Sequence, residues 1–194
     1  LEIQGVTAHP MSSKGVLVNP ILAAHDFMGM LDRTQTPECT AGTEGFVWVN
    51  GISGGPSRCS VSLKIRDHNL EGYKAKKALI AAAVEYLKVR YPRAKFALSF
   101  EDVYGNIADA IKPENSACVD LLREAMAIEG VKPINLAMRG GTDGSFISTQ
   151  GIPTPNYFTG AHNFHSSCEF MPMSSWVKSL AVTLRLVALT AEAK

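Results

Sequence analysis

Chemically versatile side chains are concentrated between residues 139 and 170. This segment contains two histidines three positions apart, His162 and His165, followed by Glu169. Imidazole nitrogens and carboxylate oxygens surround zinc in proteins, either as direct ligands or as groups that hold the ligands in place. A zinc site needs three or four ligands, so this loop would supply only part of one. The alternative is that both histidines are ordinary loop residues.

The run Arg-Gly-Gly-Thr-Asp-Gly-Ser at residues 139–145 also has two interpretations. Gly140 and Gly141 allow backbone conformations closed to other residues and let a ligand approach the main chain. Arg139 could then bind a carboxylate through two parallel hydrogen bonds. Alternatively, the run is a tight turn from a strand into a helix, with Asp143 as the cap. It is not a phosphate-binding loop, because the Gly-Lys-Ser/Thr ending is missing.

Two further residues lie at the ends of predicted strands. His9 follows the first strand and precedes Pro10, which should fix the direction of its ring. On its own, a histidine in such a place is more often a hydrogen-bonded structural residue. Arg66 ends a later strand in the sequence Arg-Asp-His. Spacing alone favours an ion pair between Arg66 and Asp67 or Glu101 at the sheet edge.

The composition is that of an ordinary soluble globular protein and excludes several classes of function. There are 19 Lys and Arg against 18 Asp and Glu, so no basic surface for nucleic acid is indicated. No apolar run reaches the roughly 18 residues of a membrane span, and residues 1–20 lack the features of a secretory signal. The four cysteines are far apart and too few for a disulfide framework, which favours a reducing, cytoplasmic compartment: Cys39, Cys59, Cys118 and Cys168.

The hydrophobic pattern of the first 100 residues predicts six elements. Strands are expected over 1–8, 45–52, 59–66 and 95–100, and helices over 15–31 and 70–91. This β-α-β-β-α-β order is that of the ferredoxin-like plan, an antiparallel sheet backed by two helices. Pro20 lies inside the first helical pattern, so that helix should kink there or begin there. Lys74, Lys76 and Lys77 are expected on the solvent-exposed face of the second helix.

After Asn106 the character of the chain changes. Helices are predicted over 115–129 and 174–191, the second with Ser174 as its cap, and short strands over 134–138 and 155–159. A glycine-rich loop separates the two strands. These elements are too few to form a domain core, and the last helix is mostly apolar. They are therefore expected to pack against a larger sheet that this sequence does not contain.

The motifs, taken together, resemble the peptidase T family of tripeptide aminopeptidases, within the dizinc exopeptidase superfamily. The segments that carry the resemblance occur in matching order along nearly the whole sequence: GVTAHP…KGVLVN, TPECTAGTEGFVWV, LKIRDHN, EDVYGNI, MRGGTDGS, GIPTPNYFTG and HNFHSSCEF. The resemblance implies an α/β fold in which residues 1–112 are a ferredoxin-like lid, or dimerisation, domain and residues 113–194 are the C-terminal segment of a zinc domain. It also implies a cytoplasmic enzyme with a tripeptide substrate, two zinc ions and a homodimer formed through the lid.

The same resemblance implies roles for individual residues. His165 corresponds to a zinc ligand. His9 corresponds to a lid histidine that reaches the active site of a partner subunit and stabilises the tetrahedral intermediate. Arg66 and Asn106 correspond to lid residues that hold the terminal carboxylate of the peptide. Arg139, Gly140 and Gly141 correspond to a loop on the substrate side of the site.

The family's other zinc ligands and its glutamate general base lie in an N-terminal half, and no His-x-Asp motif occurs in this sequence. The polypeptide as given is therefore expected to lack part of the two-zinc site and to be inactive on its own. The alternative function is that of a non-catalytic, dimerising or peptide-binding module. A four-stranded sheet with an exposed edge strand can pair across a two-fold axis without any metal.

Overall fold

The computed structural model describes residues 1–192, and the chain forms two compact units, Leu1–Glu101 and Asp102–Lys194. The first unit contains β1 (Glu2–Gln4), α1 (Pro20–Gly29), β2 (Phe46–Gly54), β3 (Arg58–Arg66), α2 (Leu70–Arg90) and β4 (Lys95–Ala97). The four strands form one antiparallel sheet in the order β2-β3-β1-β4. The predicted ferredoxin-like arrangement of this mixed α/β chain is confirmed.

Both helices of the first unit pack on one face of the sheet. Alternate residues of β3, beginning with Cys59 and Val61, enter a core that contains Phe27 of α1 and Leu87 of α2. Each of these four side chains is at most 1% exposed, and burial of an aliphatic or aromatic side chain stabilises a fold by about 1.5–3 kcal/mol. Because successive strand residues point to opposite faces, Arg66 lies on the face away from the helices.

The helix α1 begins at Pro20, which is one of the two outcomes expected for that proline. The Asn19 side chain caps the helix by accepting a hydrogen bond of 2.9 Å from the Ile21 N–H. Proline suits the first helical position because its missing N–H would have no partner there. The strand β1 is shorter than predicted, since Val6 pairs with Val18 instead of with β3.

The second unit contains the helices α3 (Ile107–Ala110), α4 (Ala117–Ile128), α5 (Asp143–Thr149) and α6 (Met173–Glu192). Its core is small, with Leu122, Ala125 and Met126 of α4 packed against Val182 of α6. Between residues 102 and 192 the structure contains no strand of a sheet. No helix in the described part of the chain is long and apolar enough to cross a membrane.

Several local predictions for the second unit are wrong. Residues 134–138 and 155–159 form no strand, because a strand needs a neighbouring strand to satisfy its backbone groups. Part of the predicted glycine-rich loop is the helix α5, so the run leads into a helix, as the alternative interpretation expected, although no strand directly precedes it at residues 134–138. The carboxylate-binding interpretation of the run stays a prediction. Thr142, not Asp143, is the cap residue of that helix. The helix α6 begins at Met173, so Ser174 lies inside its first turn.

Candidate functional site

His9 lies in the loop between β1 and α1 and caps a short 3₁₀ turn, Pro10–Ser12. The N–H of Met11 donates a hydrogen bond of 3.2 Å to His9 Nδ1. Because Nδ1 accepts this bond, the neutral imidazole carries its proton on Nε2. His9 is exposed, so the Nε2–H is a donor that a group outside the loop can reach. The structural interpretation of His9 and the functional one are therefore compatible.

Arg66 is the last residue of β3 and is half-buried. It is paired in register with Phe46, the first residue of β2. The next residue, Asp67, forms an ion pair of 2.7 Å with Lys76 of α2. The prediction that Lys76 lies on the solvent-exposed helix face is wrong, because its side chain is only 15% exposed.

The environment of Asp67 favours the charged carboxylate. Desolvation alone would raise the pKa of Asp67. The hydrogen bond from Lys76, the hydrogen bond from the Asn69 N–H and the positive charges of Lys76 and His68 together outweigh it and lower the pKa below its ordinary value of 3.8. Asp67 is therefore ionised at neutral pH and can act as a fixed anchor beside Arg66.

Tyr104, two residues before Asn106, contacts the glycine loop at 139–141 in the second unit. The Asn106 side chain caps α3 by accepting a hydrogen bond of 3.1 Å from the Ala108 N–H. Two residues earlier, the ring of Tyr104 lies directly against the backbone of Gly141, so that a Cβ at position 141 would overlap its hydroxyl. At Gly140 a Cβ would meet nothing within 4 Å. Only the second glycine of the pair is thus required by packing.

The glycine loop leads into α5, which is tied to the segment that follows it. The Thr142 hydroxyl donates a hydrogen bond of 3.1 Å to Asn156 Oδ1, and the Thr154 N–H donates one of 3.0 Å to Ser148 Oγ. Arg139, at the start of the loop, is half-buried, and its Nε atom is shielded from solvent. Hydrogen bonds therefore join α5 and the residue before it to the PTPN segment, a few residues after Arg139.

His165 lies in a short loop with an unusual backbone. The loop is closed by an antiparallel bridge between His162 and Phe170, whose rings stack with their centroids 5.2 Å apart. Within it, Asn163 has φ 57° and His165 has φ 64°. Left-handed conformations of non-glycine residues cost of order 1–3 kcal/mol each and are concentrated at functional sites. The backbone at His165 is therefore strained, and its imidazole is exposed.

Glu169 stabilises this strained backbone. Its Oε2 atom accepts a hydrogen bond of 2.9 Å from the His165 N–H. A charged acceptor makes such a bond stronger than a neutral one. Glu169 therefore supports the backbone of His165 in this structure.

The donor set of the loop fits one ligand of a zinc ion, not a complete site. Zinc is held by at least three protein ligands. In residues 1–192 no three or more His, Cys, Asp or Glu side chains are grouped so that they could hold a metal ion. His165 can supply an imidazole nitrogen, and the other ligands would have to come from elsewhere.

Sequence reasoning missed two contacts of this site. The Asp67–Lys76 pair joins a strand end to a helix nine residues later, and Tyr104 packs on a glycine 37 residues away in sequence. The glycines at these positions are the sequence feature that could have indicated the two contacts. A Cβ at Gly45 or Gly72 would overlap Asp67, and a Cβ at Gly141 would overlap Tyr104.

Comparison with known proteins identifies the class. Residues 1–95 match the family model described as a peptidase dimerisation domain. The solved structure of a tripeptidase from Staphylococcus aureus has the same fold, with a TM-score of 0.76 at 22% identity, over 98% of this chain and 50% of that chain. Residues 1–95 of the first unit are therefore similar to peptidase dimerisation domains.

The relatives in sequence are more specific. The chain is 47% identical over 191 residues to a peptidase T-like protein of Yersinia pestis. This alignment covers 98% of this chain and 46% of that protein. It is 38% identical over 192 residues to peptidase T of Clostridium perfringens, over 99% of this chain and 47% of that protein. The chain is therefore homologous to peptidase T along nearly its whole length, and it spans about half the length of these curated relatives.

Proposed function

We propose that this chain is the lid and the C-terminal segment of a zinc-dependent tripeptide aminopeptidase, which releases the N-terminal residue of tripeptides. The observation that carries the proposal is the similarity to peptidase T, which extends over 98–99% of the chain and therefore through both units. The left-handed backbone at His165 also supports it, because such conformations of non-glycine residues are concentrated at functional sites.

The proposed division assigns residues 1–112 to the lid and residues 113–194 to the end of the zinc domain. The remaining zinc ligands and the general base would come from the part of the enzyme that corresponds to the rest of the relatives' length. His165 would hold one zinc ion through its imidazole. Bound zinc lowers the pKa of a water molecule and polarises the scissile carbonyl.

The lid residues would act on the two ends of the reacting peptide. His9 would donate its Nε2–H to the developing oxyanion in the active site of a partner subunit, and one preorganised donor of this kind contributes about 3–4 kcal/mol to catalysis. Arg66 and Asn106 would hold the free terminal carboxylate, since a guanidinium binds a carboxylate through two parallel hydrogen bonds. Arg139, with Gly140 and Gly141, would line the substrate side of the site.

The first unit would form a homodimer. Its strand β2 is nine residues long, lies at an edge of the sheet, and exposes Trp48 and Ile52 to the extent of 46% and 52%. An edge strand of this length offers unpaired backbone groups to a second copy. The proposed compartment is the cytoplasm, because Cys39 and Cys168 are free and exposed thiols.

A non-catalytic dimerising module is the second candidate function. It is favoured by the complete core and long edge strand of the first unit, which need no metal. The two candidates differ in whether metal and peptide turnover depend on the second unit.

The test is the metal content and activity of the longest natural polypeptide that contains this chain. His165→Ala should remove bound zinc and lower kcat on a tripeptide by more than the roughly 10–100-fold typical of residues that merely support a ligand. The matched control is His162→Ala, an exposed histidine of the same loop, which should retain the metal and most of the activity. Equal effects of the two substitutions would contradict the role of His165, and a wild type that binds no metal would favour the dimerising module.

A further inference from the structure

The turn from β3 into α2 contains a buried ion pair immediately after Arg66. Lys76 Nζ lies 2.7 Å from Asp67 Oδ2, and the two side chains are 15% and 8% exposed. The helix α2 carries another ion pair of the same length, between Lys88 and Glu85, but its side chains are 46% and 69% exposed. Surface pairs of the second kind contribute little, whereas removal of one partner of a buried pair leaves an uncompensated charge.

Two glycines make room for the carboxylate of Asp67. A Cβ at Gly45, just before β2, would overlap Asp67 Oδ2, and one at Gly72, in the first turn of α2, would lie 2.5 Å from the same atom. The Cβ at Gly45 would also lie 2.9 Å from the carbonyl oxygen of Arg66. Glycine weakens a helix relative to alanine. Its presence in α2 therefore indicates that the space is needed for Asp67.

The same carboxylate also holds the turn itself. Asp67 Oδ1 accepts a hydrogen bond of 2.9 Å from the Asn69 N–H, and Asn69 Oδ1 caps α2 by accepting one of 2.7 Å from the Glu71 N–H. Asp67 is thus bonded to the turn and to the second turn of α2, while Arg66 is paired with Phe46 in the sheet. The backbone of Arg66 is fixed on both sides.

We infer that Asp67 is a positioning residue that, through its buried pair with Lys76, holds the end of β3 so that Arg66 can bind the terminal carboxylate of a short peptide. The inference rests on the proposed function of Arg66. Stability alone does not account for the pair, because well-packed apolar residues of similar volume stabilise a protein interior at least as well as a buried ion pair does. A charged anchor adds a fixed direction, which a binding arginine requires.

The first experiment compares a tripeptide with its C-terminal amide as substrates of the longest natural polypeptide that contains this chain. Asp67→Asn should raise KM for the tripeptide about tenfold, because part of one charge-assisted contact with the substrate is lost. The kcat for the tripeptide and the KM for the amide should stay within about twofold of wild type. Lys76→Met should behave in the same way, and Lys76→Arg, which keeps the charge, should lie close to wild type. The matched control Lys88→Met should change none of these values. An equal rise in KM for both substrates, or no rise, would overturn the positioning role.

The second experiment needs no activity. Amide hydrogen exchange of the same polypeptide, followed by mass spectrometry, should show faster exchange in Asp67→Asn at residues 64–69 and unchanged exchange in α1. Faster exchange throughout the first unit would mean a merely structural role and would overturn the inference, as would no change. If the wild-type polypeptide hydrolyses no tripeptide, the proposed function is wrong. The exchange experiment then still decides whether Asp67 holds the segment that contains Arg66.

Discussion

The two units differ in how completely they bury their apolar side chains. The first unit surrounds the side chains of Ile3, Phe27 and Leu87, each fully buried, with two helices and four strands. The second has a small cluster around Val182, and its helix α6 exposes Trp176 and Leu184 to the extent of 54% and 63%. Exposed apolar stripes of this kind mark surfaces that another part of a protein covers. The first unit thus closes a core of its own, while the second unit leaves an apolar face of α6 exposed.

The largest effect that the comparison predicts is on stability. Phe27→Ala should lower the free energy of unfolding of the chain by about 3–5 kcal/mol, because it leaves a cavity in the closed core. Leu184→Ala, on the exposed face of α6, should change it by less than about 0.5 kcal/mol. Chemical denaturation monitored by circular dichroism measures both values.

The same two variants are then measured in the longest natural polypeptide that contains this chain. There Leu184→Ala should cost roughly 2–5 kcal/mol, since the side chain would be buried against the additional chain. A negligible cost in both proteins would show that the exposed face of α6 has no intramolecular partner.

An intermediate effect is expected at the glycine pair of the second unit. Gly141→Ala should destabilise this unit by about 1–3 kcal/mol, because the new methyl group overlaps Tyr104. Gly140→Ala is the control and should be close to neutral. Adding Tyr104→Ala to Gly141→Ala should recover part of the loss, which a double-mutant cycle measures. Equal costs for the two glycines would contradict the contact.

The smallest effect concerns an ion pair that joins α1 to α2 in the first unit. The pKa of Asp26 lies below its ordinary value of 3.8, mainly because the Tyr91 hydroxyl donates a hydrogen bond of 2.6 Å to its carboxylate. Desolvation acts in the opposite direction, and the charge and hydrogen bond of Arg90 lower the pKa further. A carboxylate whose pKa is lower in the folded state stabilises the protein above the unfolded pKa, and this contribution is lost as the pH falls through the folded value.

Asp26→Asn should therefore lower Tm slightly at pH 7. This deficit should shrink as the pH falls below the ordinary pKa of 3.8 and vanish once the pH is below the lowered folded pKa, where the wild-type carboxylate is also protonated. Asp120→Asn, at an exposed pair 3.6 Å from Arg123, should leave Tm unchanged at both pH values. Thermal unfolding at several pH values measures the difference. A deficit that persisted at low pH would mean that Asp26 acts through packing and not through its charge.

The sequence predicted the first unit well because the hydrophobic spacing within each of its strands and helices matches the side chains that the unit buries. Every predicted strand and helix of that unit is present, and the proline at position 20 marks the true start of α1. In the second unit the apolar stretch 134–138 and the stretch 155–159 predicted strands, but strand formation depends on a neighbouring strand as well as on local propensity. A helix after the glycine run was one of the two interpretations of the sequence, and α5 contains Gly144, where a Cβ would lie 2.7 Å from the Thr154 carbonyl oxygen.

Within the candidate site, the sequence located the residues but not what holds them. His9, Arg66 and His165 were found because their motifs resemble those of a known family. The bond from Met11 to His9, the anchor of Asp67 beside Arg66, and the left-handed backbone at His165 depend on three-dimensional contacts. The roles of these residues in catalysis remain predictions that the variants above address.

The most direct test of the account is the release of the N-terminal residue from a tripeptide by the longest natural polypeptide that contains this chain, before and after removal of metal with a chelator. The account predicts turnover that the chelator abolishes and that added zinc restores. Absence of turnover with zinc present, or turnover that the chelator does not affect, would contradict it.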